Sequence, residues 1–255
     1  MPLEIRLLIY SYLVDDGGHR RLRVKSMKDG EIDGIPDSKR ARYLVVEGYI
    51  QRRCYETTYT LATESASFHL GIMGTCRRLY AEVANILYAR HSFDFGADIA
   101  AVIPFFSDRT AYARAMISEI SIQRRVPILI GHGDGGQWSH VARYLAEHAS
   151  LRKLRLVVGG GRPAEAWEGP QELSKSDFEL LAVLKHECID WATDLARIKD
   201  LDEVEIVPEI HHAQAPRTPS MTVFAAFSAS IEKGLSQYIR ERLGIRTDNA
   251  VERHT

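Results

Sequence analysis

Three segments of this chain share one spacing, and that spacing restricts the fold more than any other feature. Ile117-x-x-Ile120-x-Ile122, Leu151-x-x-Leu154-x-Leu156 and Leu201-x-x-Val204-x-Ile206 each read as an approach residue followed by a short strand with alternate apolar positions. Helix-like stretches lie between them at 138–148 and 177–198, and a last one follows at 221–243. Parallel strands cannot be joined by a tight hairpin, so strand, helix, strand in this order implies parallel strands with covering helices. The expectation for 97–245 is an irregular α/β layer, because the spacing is too long and uneven for a regular repeat. Trp138 and Trp191, each on a helix that precedes a repeat strand, are expected to anchor equivalent helix–sheet contacts.

The N-terminus poses a different question. At about 100° per residue, Ile5, Leu8, Ile9, Tyr12 and Leu13 fall on one side of a helix, and Leu3, Leu7, Tyr10 and Val14 fall roughly opposite. A helix at the edge of a domain needs one apolar stripe for its own core, so a second stripe implies full burial or a partner. The helix should end near Val14, where Asp15-Asp16-Gly17-Gly18 supplies turn formers. A β-rich insert is expected at about 15–68, with 22–25 and 43–46 pairing as strands and 55–61 as a third extended segment. The second helix carries Ile72, Cys76, Leu79, Tyr80, Val83, Ile86 and Leu87 on one stripe, which places Cys76 on the buried face. Its natural neighbour is one side of the first helix.

The spelling of these two helices resembles a known family. Pro2, Glu4, Ile5, Ile9, Ser11, Tyr12 and Leu13 match the opening of an F-box, with Met1 where that family usually has Leu. Leu70 to Tyr88, followed by Phe93-Asp94-Phe95, resembles the continuation found in a large group of fungal F-box-like proteins. In that group a Pro-x-Glu-Ile-Arg-x-x-Ile-Tyr helix precedes, after a variable insert, a Thr-Cys-Arg-x-x-Tyr-x-Glu helix and a short strand. The resemblance implies docking to the small adaptor subunit of a cullin-based ubiquitin ligase, with Pro2, Ile5, Ile9 and Leu13 as the partner-binding residues. An F-box normally runs without interruption, whereas here more than about fifty residues separate the helices. The resulting expectation is an α+β to α/β chain: an F-box-like helical module at 1–96, a leucine-rich-repeat-like layer at 97–245 that presents an unknown protein substrate, and a flexible tail at 246–255.

Composition narrows the remaining classes. A formal net charge of −1 gives no support for nucleic acid or an anionic membrane as the main partner. The basic run Lys39-Arg40-Ala41-Arg42 reads as a solvated loop. No apolar run is long enough to span a bilayer, and no secretory leader is evident, so an intracellular site, cytoplasmic or nuclear, is expected. Cys54, Cys76 and Cys188 are too few and too scattered for a disulfide framework or a metal pair.

The sharpest chemical candidate is Gly131-His132-Gly133-Asp134-Gly135-Gly136, a Gly-x-Gly-x-x-Gly loop behind an apolar run. In a dinucleotide fold those glycines would admit a pyrophosphate. Here the next strand runs into Gly159-Gly160-Gly161 instead of ending at an acidic residue for the ribose, and Pro127 interrupts the leading run. His132, Asp134 and His140, the His186-Glu187-Cys188 run, and His211-His212 lack the spacing of a metal site or a nucleophile with its base. The sequence therefore reads as a non-enzymatic interaction protein with no cofactor, no metal and no catalytic residues. A nucleotide-dependent enzyme using the 131–136 loop and a fungal scaffold unconnected to ubiquitin are the alternatives.

Overall fold

The computed structural model describes residues 2–14, 19, 21–27, 41–47, 51–62, 70–125, 135–163, 167 and 170–245. Five parallel strands form its centre: β1 (Arg21–Met27), β4 (Ser92–Asp94), β5 (Glu119–Arg124), β6 (Lys153–Pro163) and β7 (Glu203–Ala213). They lie side by side in chain order. At the β1 edge the sheet continues with antiparallel β3 (Gln51–Ala62) and then β2 (Ala41–Glu47), giving the order β2-β3-β1-β4-β5-β6-β7.

The parallel pairing demands crossovers, and helices fill them. Helix α1 (Leu3–Val14) precedes the sheet, and α2 (Arg77–Arg90) leads into β4. Between β4 and β5 come α3 (Val102–Ser107) and α4 (Ala111–Met116), and between β5 and β6 comes α5 (Gly135–His148). Helices α6 (Lys175–Val183) and α7 (Asp190–Leu195) join β6 to β7, and α8 (Pro219–Ala229) and α9 (Ser236–Arg242) follow.

The three-fold spacing in the sequence translates directly into register. Ile120, Leu154 and Val204 stand in line, as do Ile122, Leu156 and Ile206. The approach residues Ile117, Leu151 and Leu201 are buried behind them. Leu22 and Phe93 continue the first row, so one apolar face spans all five parallel strands and packs with Phe105, Trp138, Leu145, Trp191 and Leu195. The rows pointing the other way are charged. Arg23, Asp94, Ser121, Arg155 and Glu205 share one row, and Glu119, Lys153 and Glu203 share the next. Lys153 pairs with Glu203 at 3.1 Å and Arg155 with Glu205 at 3.2 Å. A parallel sheet covered on both faces reads as continuous apolar runs; the alternation here belongs to a sheet with one apolar and one polar face.

Several expectations need correction. Strands β1 and β2 do not pair with each other, because β3 lies between them and pairs with both. The 15–68 insert contributes β1 to the parallel sheet through β4, and hydrogen bonding runs on across position 96 from β4 to β5. The helix expected at 177–198 is two helices. Its first half closes at Lys185, whose φ of 52° is left-handed, with His186 N bonded to Leu181 O and Lys185 N to Ala182 O. The helix expected at 221–243 is interrupted by a π-helical turn at Ile231–Leu235, where Leu235 N reaches back to Ser230 O. Trp138 and Trp191 do sit on helices before their strands, but they meet each other edge to face, with ring centroids 5.5 Å apart.

Glycines within β6 allow α8 to lie close. A Cβ on Gly160 would sit 2.9 Å from Ser228 Cβ, and one on Gly161 would sit 2.8 Å from the Phe224 ring. The bare Gly161 N–H donates to Ser228 Oγ at 3.0 Å. This close approach is the structural use of the Gly159-Gly160-Gly161 run.

Candidate functional site

Among the described residues, the packing partners of helix α1 lie on one side of it. Tyr10 and Val14 are buried against Val83 and Ile86 of α2, with Leu13, Ile72, Met73 and Leu79 around them. The seam also carries a polar clamp. Arg6 reaches Glu82 with both arms, Nε to Oε2 at 2.9 Å and Nη2 to Oε1 at 2.7 Å. Tyr10 OH donates to Glu82 Oε2 at 2.9 Å, and Arg78 Nε to Oε1 at 3.1 Å. Held chiefly by the Arg6 fork, the Glu82 carboxyl is lowered from 4.5 to about 2. Beyond the clamp, His91, buried at the end of α2, places Nε2 3.3 Å from the Val14 carbonyl oxygen.

The opposite side of α1 faces outward. Ile5 is 47% exposed, Leu8 53%, Ile9 38% and Tyr12 80%, and they stand at positions i, i+3, i+4 and i+7. Of the four partner-binding residues expected from sequence, Pro2, Ile5 and Ile9 are exposed, while Leu13 is half-buried and packs toward α2. Leu8 and Tyr12 complete the stripe. Their positions were readable from the helical periodicity, although the family spelling did not single out Leu8.

Cys76 departs from expectation. It is exposed and stands at the N-cap of α2, with φ −157° and ψ 163°, and its side chain makes no cap bond. A short 3-10 turn at Leu70–Gly74 precedes it, so helical periodicity does not run from Ile72 to Cys76, and the stripe begins only inside the helix.

The chemical candidates that lie among the described residues sit on separate elements. Residues 131–134 are outside the described residues, and Gly135 and Gly136 open α5. His140 accepts from Arg143 Nη2 at 2.8 Å on one face of α5. His186 Nδ1 lies 3.0 Å from Cys188 Sγ, but burial pushes that thiol up to about 12, which holds it protonated and poorly nucleophilic. His211 and His212 are exposed on β7, an edge strand. Among the described residues no group of three or more His, Cys, Asp or Glu is placed to hold a metal ion, and no helix is long and apolar enough to cross a membrane.

These features define an α/β protein whose N-terminal helix is clamped to its second helix and offers an apolar face outward. The chain belongs to a family of domains of unknown function, DUF7730, whose model matches residues 1–187. No curated protein and no solved structure matches it.

Proposed function

We propose that this chain is a non-enzymatic interaction protein that docks through the outward face of α1. Within that class, it acts as an F-box-type substrate adaptor of a cullin-based ubiquitin ligase, and its leucine-rich-repeat-like layer presents the substrate. One observation carries the reading: Ile5, Leu8, Ile9 and Tyr12 form an exposed apolar stripe on a helix that its own fold holds firmly from behind. Apolar residues at such spacing are the anchors by which helices enter a partner's groove. The spelling shared with F-box-like proteins divides accordingly. Arg6, Tyr10 and Glu82 join the two helices, whereas Pro2, Ile5 and Ile9 remain outward.

Calorimetric titration of the purified full chain with the purified small adaptor subunit tests this reading. Saturable one-to-one binding with a negative heat-capacity change is expected, because the stripe would be desolvated. Absence of binding at concentrations on the order of 100 μM would remove the ligase reading. The α1 face would then belong to a scaffold unconnected to ubiquitin.

A further inference from the structure

Apolar content alone does not tell α1 which way to face. Its outer side carries Ile5, Leu8, Ile9 and Tyr12, and its inner side buries only Tyr10 and Val14. The α2 surface that receives them, centred on Val83 and Ile86, is aliphatic and selects poorly among Ile, Leu and Val. The polar pattern does discriminate. Arg6 and Tyr10, four residues apart and so on one line of the helix, both deliver donors to Glu82. Half a turn round the helix from Arg6 stand Glu4 and Leu8. A rolled α1 would therefore exchange a cation for a carboxylate in front of Glu82 and leave it with Arg78 of its own helix in place of the Arg6 fork and the Tyr10 hydroxyl.

We infer that Glu82 is a positioning residue that fixes the roll of α1 about its own axis, keeping the Ile5, Leu8, Ile9 and Tyr12 face outward and the Tyr10 and Val14 face inward. The attraction to Arg6 and Tyr10 selects the observed roll, and repulsion of Glu4 disfavours the alternative. His91 Nε2 lies 3.3 Å from the Val14 carbonyl oxygen and limits where the end of the helix lies, and that contact is to a backbone atom, which any roll of the side chains leaves in place. The inference concerns which face is presented, so it stands or falls separately from adaptor binding.

The test is thiol labelling of the full-length protein with Cys54 and Cys76 replaced by serine, using Tyr12→Cys and Val14→Cys as separate reporters. With Glu82 intact, Tyr12→Cys should react more than about tenfold faster than Val14→Cys, as an exposed site against one reached only by local opening. In Glu82→Ala, and more weakly in Glu82→Gln, the two rates should converge from both sides: Val14→Cys speeds up and Tyr12→Cys slows down. The reversed pair Arg6→Glu with Glu82→Arg should restore the original ratio, which a merely structural role for Glu82 does not require. An unchanged ratio in a folded Glu82→Ala protein would overturn the inference. So would acceleration of Val14→Cys with no slowing of Tyr12→Cys, since that is undocking and not rolling. Loss of the folded state in both Glu82 variants would overturn it as well, because Glu82 would then hold the fold and not the roll.

Discussion

Glu82 carries the most legible electrostatics in the molecule. Its carboxyl is lowered to about 2 by the Arg6 fork, so it favours the folded state when ionised. That contribution is complete above the ordinary carboxylate value of 4.5 and is lost as pH falls from there toward about 2. A Glu82→Gln protein should accordingly melt lower than the parent at pH 7, and the gap should close across that acid window; a gap that stays constant with pH would contradict the clamp. Cys76 gives a second prediction, in the direction opposite to the one its sequence position implies. Because it is an N-cap with extended backbone and no side-chain cap bond, Cys76→Asp or Cys76→Ser should stabilise the protein by about 0.5–2 kcal/mol in denaturant unfolding. A loss of similar size would mean that the helix starts elsewhere. The sequence showed the apolar stripe of α2 but not the 3-10 turn that ends its periodicity before Cys76, since the composition of Gly71-Ile72-Met73-Gly74 fits either conformation.

At the scale of elements, three of the five parallel strands, β5, β6 and β7, were legible because each carries its own alternation, and Ile120, Leu154 and Val204 fall into one register row. The breaks between helices were not. The end of α6 has the backbone bonds of a left-handed cap without the glycine that usually marks one, and Lys185 takes the strained position. The interruption after α8 depends on long-range contacts: Ser230 Oγ accepts from Leu173 N at 2.6 Å, and a Cβ on Gly234 would run into the Leu173 carbonyl. The insert misled for a related reason, since local patterns identify strands but not which of them are neighbours. Packing of α8 on β6 supplies a prediction here. Gly161→Ala should cost about 1–3 kcal/mol through overpacking against Phe224 and Ala213, measured by chemical denaturation. Parental stability would show that α8 can move away freely.

Across the whole molecule, the sheet joins regions that the sequence reading had separated, and it also reaches beyond the span matched by the family model. Strand β7 pairs along its full length with β6, and Phe178 meets Phe227 and Tyr238 at centroid distances of 5.9 and 6.1 Å. A chain cut after Glu187 should therefore lose its cooperative thermal transition, and a sharp melt from that fragment would show that β7 and the last helices are accessory. The outward face of α1 was half legible at this scale. Periodicity revealed two apolar sides of α1, but only the placement of Tyr10, Val14 and Glu82 decides which is inside. The most direct measurement is adaptor binding and melting temperature determined together for Ile5→Asp/Ile9→Asp and for Tyr10→Asp/Val14→Asp. The first pair should retain the parental melting temperature within a few degrees and lose binding by more than about a hundredfold, and the second should unfold, as buried unpaired carboxylates do. Retained binding in a folded Ile5→Asp/Ile9→Asp protein, or equal unfolding of both pairs, would contradict a helix with one face for the fold and one for a partner.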